Sequence, residues 1–400
     1  MDIAYSQAEQ SLRREIRAFF RSACAPETRR KLLLGHRLTR AQVVQWHMTL
    51  HDRGWAVPAW PVQWGGTGWS PIEQSIFNEE VFLAPVPEPL SQNVKMVGPV
   101  IIAFGSDELK RRFLQPTARL DYWFCQGFSE PGAGSDLASR RTAARRDGDH
   151  YVVNGQKVWT TGAQNADWMF ALVRTDPDAR PQRGISFLLI DMKSPGVTVR
   201  PIHSIDGARE LNEVFLDDVR VPVSNRVGEE NRGWDYAKFL LVNERTNIAR
   251  VGMSKQRLRR ARAIAASTGP VGSSLLEDPV FAQRLAIAQA ELKAIEITQM
   301  RVLAARSADS TAIDPMASVL KIRGSELQQL TAELMFDAAG AAGLVDAHEA
   351  VDGGTPIDEA LLAEWAPGVP ATYFFSRAAS IYGGSNEIQR NIIAKSVLGL

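Results

Sequence analysis

The chain has 400 residues, of which 45% are hydrophobic and 23% charged, and it carries a formal net charge of +1. This composition is typical of a globular protein with a large core, and the length allows two or three domains. The near-neutral charge argues against nucleic-acid or membrane-surface binding, and two cysteines, Cys24 and Cys125, are too few for a disulfide framework or a zinc cluster.

The sequence shows no targeting or membrane signal. Its N-terminus is polar and acidic, and no run of about 18 apolar residues occurs. We therefore expect a cytoplasmic protein without a membrane span. His47 and His51 lie four residues apart, a spacing that places them on one face of a helix. We interpret this pair as packing residues and predict no metal site.

Residues 1–120 are predicted to form an α-helical domain. Three capping boxes, in which Ser or Thr is followed three residues later by Glu or Gln, precede apolar runs with helical spacing; they begin at Ser6, Thr39 and Ser70. Pro71 suits the first position of its helix. Two further helices are expected at residues 96–104 and 107–114, and the prolines at 85, 87 and 89 prevent a helix before them.

Residues 121–230 are predicted to form a β domain. Short apolar runs rich in β-branched and aromatic residues follow one another, with turn residues rather than helical patterns between them. Asn154-Gly155 lies between two such runs, Tyr151-Val-Val and Gln-Lys-Val-Trp159, and is the usual signal for a two-residue hairpin turn. Because strands follow strands, we expect an antiparallel β-barrel or sandwich rather than βαβ units.

Residues 231–400 are predicted to be helical again. Long Ala- and Leu-rich patterns suggest helices at residues 234–250 (running on towards Ala266 with a bend at Gly252), 279–306, 316–339 and 373–398. Such helices suit a four-helix bundle and the assembly of several bundles into an oligomer. The predicted fold is therefore α+β and multidomain, with an N-terminal α-helical domain, a middle antiparallel β-barrel and a C-terminal four-helix bundle.

A glycine-rich stretch, Ser129-Glu-Pro-Gly-Ala-Gly-Ser-Asp136, lies where the first two domains meet. Glycines let the backbone approach a ligand and expose N–H groups to it. The stretch lacks the Lys of a P-loop, and it lacks the third glycine and following helix of a dinucleotide-binding fingerprint. From these residues alone it is either a plain turn or a different kind of ligand cradle.

Four motifs in this order resemble the acyl-CoA dehydrogenase family, and the resemblance covers essentially the whole chain. They are Gly127-Phe-Ser-Glu-Pro-Gly-Ala-Gly-Ser-Asp136, Asn154-Gly-Gln-Lys-Val-Trp-Thr-Thr161, Phe215-Leu-Asp-Asp-Val-Arg-Val-Pro222 and Ile381-Tyr-Gly-Gly-Ser-Asn-Glu-Ile-Gln-Arg390. Phe128 departs from the family pattern, which usually has a smaller aliphatic residue there. Within the family the chain looks most like the large subunit of pimeloyl-CoA dehydrogenase and its bacterial relatives.

The resemblance implies FAD as cofactor and an acyl-CoA as substrate, with electron-transfer flavoprotein as electron acceptor. Ser129 would hydrogen-bond the isoalloxazine ring, Trp159 would lie against the ring face away from the substrate, and Thr161 would bond near N5. In isolation Trp159 would more simply be a core strand residue, but its place directly before Thr160-Thr161 favours the cofactor role. The cofactor-binding residues implied are Gln126, Phe128, Ser129, Trp159, Thr161, Ser385, Asn386 and Glu387.

The implied reaction removes the α-proton of the thioester while the β-hydride passes to the flavin. Because that C–H group is a very weak acid, the site needs a carboxylate base and donors for the thioester oxygen. Many members carry the base directly after the Tyr of the C-terminal motif, but that position is Gly383 here. A second group places it before an Arg on the first helix of the C-terminal domain, which predicts Glu244 as the base. Residues expected on the substrate side are Ser135, Arg245, Gly383 and Gly384.

The loop from Thr268 to Asp278 lacks the Arg-x-x-Phe-Gly segment with which homotetrameric relatives reach the FAD of a neighbouring subunit. We therefore expect a homo- or hetero-oligomer, either dimer or tetramer, and a smaller related subunit is compatible with the missing segment. Three alternatives remain open: a base-less, FAD-holding partner subunit of a heteromeric complex, a flavin-dependent oxidase, and a nicotinamide-dependent dehydrogenase. The missing dinucleotide fingerprint disfavours the last of these.

Overall fold

A computed structural model describes residues 5–244, 249–268, 273–305, 315–344, 365–366 and 368–400, with the backbone alone for 242–244 and 305. The order of elements is helices, then strands, then helices, which confirms the predicted fold class. The N-terminal helices are α1 (Gln7–Ala23), α2 (Pro26–Leu34), α3 (Arg40–Asp52), α4 (Pro71–Leu83), α5 (Gly98–Phe104) and α6 (Asp107–Arg119), and a π-helical segment, Gln92–Val97, precedes α5.

The three predicted capping boxes are present at the starts of α1, α3 and α4. In each, the side-chain oxygen of the N-cap residue accepts from the backbone N–H three residues on, and the Glu or Gln there accepts from the N-cap backbone. The packing interpretation of His47 is also confirmed. His47 is buried in α3, and its Nε2 donates to the Ala118 carbonyl of α6 at 2.9 Å.

The middle of the chain forms one eight-stranded sheet. Its strands are β1 (Phe124–Gly127), β2 (Ala143–Asp147), β3 (His150–Lys157), β4 (Trp168–Arg174), β5 (Ile185–Asp191), β6 (Val197–Ile202), β7 (Leu211–Pro222) and β8 (Arg226–Val227). They lie in the order β6-β7-β3-β2-β4-β5-β8, and β1 pairs with β4. Most neighbours are antiparallel, as predicted, but β1 runs parallel to β4 and one residue pair between β2 and β4 is also parallel.

The predicted hairpin turn at Asn154-Gly155 is wrong. Strand β3 runs straight through these two residues, and its register against β7 shifts between Val153 and Gly155 as in a β-bulge. The actual turn joins β2 to β3 at Gly148-Asp149, where Gly148 has a φ of 61° and Asp147 pairs with His150. Gly155 serves a different purpose, because a Cβ there would lie 2.7 Å from the Cα of Thr142.

The C-terminal helices are α7 (Gly233–Glu244), α8 (Val251–Ser267), α9 (Pro279–Ala305), α10 (Pro315–Ala339), α11 (Gly368–Ser376) and α12 (Asn386–Ile393). Two predicted helices differ from expectation. The one predicted over residues 234–250 is helical up to Glu244, beyond which residues 245–248 lie outside the described part, and Arg250, with a φ of 51°, precedes a new helix instead of a bend at Gly252. The final helix is interrupted because Gly383 and Gly384 adopt φ values of 66° and 83°.

Helix α7 and the sheet share one hydrophobic core. Tyr236, Ala237 and Leu240 of α7 are buried in the same cluster as Phe128, which follows β1. The C-terminal helices α8, α9 and α10 pack around a separate cluster. In the part of the chain that the structure describes, no helix has the length and hydropathy required to cross a bilayer. The same residues contain no group of His, Cys, Asp or Glu arranged to hold a metal ion.

Candidate active site

Strand β1 carries one of the predicted cofactor residues, Gln126, and the chain beyond it carries two more, Phe128 and Ser129. Gln126 and Ser129 are half-buried, so their polar groups remain accessible from the surface. Phe128, between them, is 5% exposed, and its ring packs edge-on against Phe170 at 5.7 Å and Phe187 at 6.2 Å. The Phe128 side chain therefore belongs to the core, and its backbone is the part that can face a bound molecule.

A backbone hydrogen bond joins the two predicted cofactor segments. The Val158 N–H donates to the Ser129 carbonyl oxygen at 3.0 Å. The next residue, Trp159, has a φ of 58°, a left-handed conformation that residues with a Cβ rarely adopt. Its side chain is 59% exposed. The indole is therefore exposed at the surface, and the hydrogen bond of the preceding residue, Val158, holds this segment beside Ser129. Trp159 is not a core strand residue.

Trp159 is also anchored on its C-terminal side, through Asn212 of β7. The Thr160 N–H donates to the Asn212 carbonyl at 2.9 Å, and Asn212 Nδ2 donates to the Thr160 carbonyl at 3.0 Å. Thr160 is buried, whereas Thr161 is exposed. Of the two adjacent threonines, Thr161 is therefore the one whose side chain is accessible to a bound molecule.

A buried ion pair lies under this region, and the sequence reasoning missed it. Lys157 Nζ lies 2.7 Å from Glu130 Oε1, with Lys157 fully buried and Glu130 7% exposed. The same carboxylate accepts from the backbone N–H groups of Arg141 at 2.6 Å and Thr142 at 3.1 Å. Glu130 and Lys157 each lie in one of the four family motifs. A lysine at an inward-facing position of a predicted strand, with an acidic residue in another motif, could have indicated this ion pair.

Burial and ion pairing shift the pKa values of the charged groups around this pair. Burial alone would raise the pKa of Glu130, but Lys157 and the neighbouring backbone donors lower it below its usual value. Burial lowers the pKa of Lys157 to about 8, against the opposing effect of Glu130, and lowers that of Arg140 to about 9. Arg140 is buried, and its Nε and Nη1 have no hydrogen-bond partner among the described residues. Two cations therefore face one carboxylate beneath the glycine-rich stretch.

The glycines of that stretch are surrounded by open space. Gly132 and Gly134 are exposed, and nothing lies within 4 Å of the position where a Cβ would be added to either. Ser135 is exposed as well. Packing inside this chain gives no reason for glycine at positions 132 and 134, and the space over them is available to a bound molecule.

The predicted C-terminal site residues form the start of α12. Ser385 caps the helix, with its Oγ accepting from the Ile388 N–H at 3.4 Å. Asn386 is buried and accepts from Ser325 Oγ at 3.0 Å, so it ties α12 to α10. Glu387 is exposed, and hydrogen bonds from its own N–H and from Ser385 lower its pKa.

This C-terminal segment is not joined to the Ser129–Trp159 region. Among the residues that the structure describes, no hydrogen bond or ion pair connects residues 381–387 with residues 126–161. Gly383 and Gly384 are half-buried in the turn before α12. The chain by itself thus brings the two β-domain segments together and leaves the C-terminal segment as a separate group.

The predicted base lies at the end of α7. Glu244 is the last described residue of that helix and its side chain is not described, while Arg245 lies outside the described residues. One helical turn earlier, Leu240 is fully buried in the cluster that contains Phe128. The helix that ends at Glu244 is therefore built on the same core as the strand that leads to Ser129.

A small cleft opens where the described chain resumes after α7, and we call it the α4–α8 cleft. Arg250 Nη1 donates to the Glu88 carboxylate at 2.7 and 2.5 Å in this cleft. Burial would raise the pKa of Glu88, but Arg250 and Lys95 lower it. The cleft is lined by Ser75, Asn78, Glu79, Phe82, Glu88, Lys95, Arg250, Val251, Gly252 and Gln299, a mostly polar and charged set.

The Ser129–Trp159 region fits a planar heteroaromatic ring. The exposed Trp159 indole offers a flat apolar face, while Gln126, Ser129 and Thr161 offer hydrogen-bonding groups around it. A ring system with polar edges is held by this combination of stacking and edge hydrogen bonds. The open space over Gly132 leaves room for such a molecule.

Comparison with known proteins finds the domains of one family along almost the entire chain. Models of the N-terminal, middle and C-terminal domains of acyl-CoA dehydrogenases match residues 6–121, 125–219 and 231–398. Acyl-CoA dehydrogenase FadE26 of Mycobacterium tuberculosis is 35% identical over 419 residues, covering 100% of this chain and 99% of that protein. The chain belongs to the acyl-CoA dehydrogenase family. It is accordingly an oxidoreductase, in a family of flavin-dependent enzymes.

Solved structures of the family include two that this acyl-CoA dehydrogenase family member resembles over its whole length. One is a chain of the ChsE4–ChsE5 complex from Mycobacterium tuberculosis, with a TM-score of 0.85, 35% identity and coverage of 100% and 99%. The other is a chain of the Tcur3481–Tcur3483 steroid ACAD, with a TM-score of 0.86, 29% identity and the same coverage. Both come from complexes of two different chains. The closer resemblance to the pimeloyl-CoA type stays a prediction.

Proposed function

We propose that the protein is an FAD-dependent dehydrogenase that converts an acyl-CoA thioester into the trans-2-enoyl-CoA, with Glu244 as the base. The observation that carries this proposal is the Val158–Ser129 hydrogen bond, which holds the exposed Trp159 segment against Ser129. Membership of the acyl-CoA dehydrogenase family over the whole chain supports it.

In this proposal the β domain holds the cofactor. Trp159 covers one face of the ring, and Gln126, Ser129 and Thr161 bond its edge, with Phe128 contributing through its backbone. Ser385 and Glu387 contact the diphosphate or adenosine part, and Asn386 supports them from beneath. When bound, FAD supplies the acceptor for the β-hydride, and electron-transfer flavoprotein is the acceptor we expect for the electrons.

The C-terminal helical region supplies the groups that act on the α-proton and the thioester oxygen of the substrate. The Glu244 carboxylate takes the α-proton, and the Gly383 N–H donates to the thioester oxygen as negative charge develops on it. Ser135, Arg245 and Gly384 lie on the substrate side. A backbone donor suffices for the oxygen, so the absence of a side chain at Gly383 does not remove this function.

One observation guides the choice of acyl group: a solved relative is described as a steroid ACAD. Together with the resemblance to the pimeloyl-CoA type, it leads us to propose steroid-type or dicarboxylyl thioesters ahead of plain aliphatic ones.

The test is an anaerobic titration of the FAD-loaded protein with a panel of these acyl-CoA thioesters. We expect the visible flavin absorption to fall with at least one member of the panel. Glu244→Gln should keep FAD bound and slow the absorption change about 100-fold or more, because general-base catalysis contributes that much. Glu229→Gln is the matched control, since Glu229 is an exposed glutamate whose carboxylate lies 3.9 Å from Arg232, and it should behave as wild type.

Several outcomes contradict this proposal. If no thioester changes the flavin spectrum, with or without a related second chain, the dehydrogenase assignment is wrong. If Glu244→Gln keeps the wild-type rate, another residue is the base. Rapid reoxidation by air alone indicates a flavin oxidase instead, and a requirement for added NAD indicates nicotinamide-dependent chemistry.

A second candidate is a base-less, FAD-holding subunit of a heteromeric dehydrogenase. It is favoured by the two solved relatives that come from complexes of two different chains. In that case the flavin spectrum changes only when a related partner chain is present, and Glu244→Gln leaves the change intact. Size-exclusion chromatography with light scattering of the protein alone and with the partner separates a homo-oligomer from a hetero-oligomer.

A further inference from the structure

We propose that the buried Glu130–Lys157 ion pair positions Trp159 relative to Ser129 and thereby sets how tightly, and in which orientation, the flavin binds. The inference rests on the proposed function, because it assumes a flavin ring beside Trp159. Both side chains are buried, so they are positioning residues that act through the backbone.

The Glu130 carboxylate fixes one side of the arrangement. Its Oε1 accepts from Lys157 Nζ at 2.7 Å, and its Oε2 accepts from the Arg141 N–H at 2.6 Å. The Thr142 N–H lies within 3.2 Å of both oxygens. Because Glu130 directly follows Ser129, these bonds hold the end of the glycine-rich stretch next to Ser129 against the start of β2.

Lys157 fixes the other side. It is the last residue of β3, and its ammonium group also donates to the Leu172 carbonyl of β4 at 2.8 Å. The following residue, Val158, donates its N–H to the Ser129 carbonyl. The end of β3 is therefore bound to Ser129–Glu130 twice, once through a side chain and once through the backbone.

Trp159 lies directly between this attachment and a second one. Its left-handed backbone is followed by Thr160, whose N–H and carbonyl are both bonded to Asn212. A strained residue keeps its conformation only where the surroundings hold it on both sides. Loss of the ion pair releases the side that faces Ser129, so the indole and the Ser129 hydroxyl no longer keep a fixed separation.

Stability and positioning can be separated at this site. Replacing a whole buried ion pair by apolar residues of similar volume is often neutral or stabilising, whereas removing one partner leaves an uncompensated charge. Apolar side chains can fill the space, but they cannot reproduce the directional bonds to Leu172, Arg141 and Thr142. A paired substitution should therefore restore the fold without restoring the geometry.

The experiment compares Glu130→Met, Lys157→Met and the double variant, in which both members of the pair are apolar, with wild type in three measurements on the full chain. These are FAD affinity from titration of the apoprotein, circular dichroism of the bound flavin, and hydrogen exchange of the Val158 and Thr160 amides in the apoprotein. We expect each single variant to bind FAD about tenfold or more weakly and to exchange both amides faster.

The double variant decides between positioning and simple stabilisation. We expect its thermal midpoint to return close to the wild-type value, while weak FAD binding, altered flavin dichroism and fast exchange persist. Glu80→Gln is the matched control, because Glu80 is fully buried and accepts from Arg17 at 2.7 Å in the helical domain. It should lower stability and leave FAD affinity unchanged.

Two results would overturn the inference. One is wild-type FAD affinity in both single variants, and the other is recovery of affinity and dichroism together with stability in the double variant. Failure of the proposed function alone would look different. The wild-type protein would bind FAD and the ion-pair variants would bind it more weakly, but no acyl-CoA would change the flavin spectrum. If the single variants fold poorly, FAD affinity and amide exchange in the double variant still distinguish positioning from simple stabilisation.

Discussion

Trp159 shows how a single residue combines strain with exposure. Its backbone has a φ of 58° and its indole is 59% exposed, so this residue adds little burial and bears a conformational cost of about 1–2 kcal/mol. Strain of this kind is characteristic of functional positions. We predict that Trp159→Gly leaves the apoprotein about 1 kcal/mol more stable than Trp159→Ala, because glycine relieves the strain and alanine does not. Denaturant unfolding of the two apoproteins measures this difference.

The same two variants should share one defect. Both lose the indole face, so both should bind FAD at least about tenfold more weakly than wild type, whatever their stability. Equal unfolding free energies for the glycine and alanine variants would show that the backbone is not strained. Wild-type FAD affinity in either variant would show that the indole does not cover the cofactor.

His47 should make stability fall in mild acid. Burial lowers its pKa to about 4, and although its Nε2 donates to the Ala118 carbonyl, its buried Nδ1 has no partner among the described residues. The unfolded chain takes up a proton near pH 6.5, whereas the folded protein resists it down to pH about 4. Stability is therefore complete above that window and falls as the pH drops through it, by about 3 kcal/mol from this residue.

Unfolding in urea at pH 6.5 and pH 4 checks this prediction. His47→Gln keeps a donor for Ala118 but cannot be protonated, so its stability should change about 3 kcal/mol less between the two pH values than that of wild type. His51→Gln, one turn along the same helix at a half-exposed position, is the matched control and should keep the wild-type difference. An unchanged pH dependence in His47→Gln would contradict the prediction.

At the residue scale, the sequence predicted the exposed and half-buried residues of the candidate site but not the buried ion pair that supports them. Motif resemblance placed Ser129 and Trp159 in one site, and the structure joins their segments by a hydrogen bond. Lys157 was overlooked because a lysine is normally exposed. Its burial depends on Glu130, which lies 27 positions earlier in the chain, and no local pattern reports that contact.

At the scale of the secondary-structure element, a glycine at a close crossing of two helices allows a test of their packing. A Cβ on Gly252 would lie 2.9 Å from the Cα of Glu79, because α8 crosses α4 at this point. We predict that Gly252→Ala forces the two helices apart and destabilises the protein by about 1–3 kcal/mol, the usual cost of overpacking. Gly132→Ala, where nothing lies within 4 Å, should change stability by less than about 0.5 kcal/mol.

Chemical denaturation of the two variants measures the contrast. A neutral Gly252→Ala would mean that α8 can shift without loss, and the close crossing would then be incidental. FAD binding provides a second reading: Gly132→Ala lies in the proposed site, so its effect should appear in ligand affinity and not in the unfolding free energy.

Elements were predictable where the determinants are local. Capping boxes at Ser6, Thr39 and Ser70 depend on two residues three positions apart, and all three helices begin where predicted. The turn at Asn154-Gly155 failed because pairing with β7 holds these residues in a strand, with a bulge instead of a turn. Tertiary pairing outweighed the local signal there, as it outweighs strand propensity generally.

At the scale of the whole molecule, one ionic network connects the N-terminal and C-terminal helices. Glu79 of α4 accepts from Arg13 of α1 at 3.2 Å and from Lys255 of α8 at 2.8 Å. Lys255 also donates to Glu296 of α9 at 2.6 Å. The family order of domains could be inferred from the sequence, but this junction could not, because its four residues come from four separate helices.

The network predicts that the helical regions unfold together. Glu79→Gln leaves Arg13 and Lys255 with fewer acceptors at a largely buried junction, which should cost about 1–3 kcal/mol. Scanning calorimetry should show one transition for the helical regions in wild type, shifted down by a few degrees in the variant. Arg284→Gln is the control, since Arg284 pairs with Glu333 and Asp337 between neighbouring helices of one domain at a half-exposed site, and it should shift the midpoint less. Two well-separated helical transitions in wild type, with neither moved by Glu79→Gln, would show that the junction does not couple the domains.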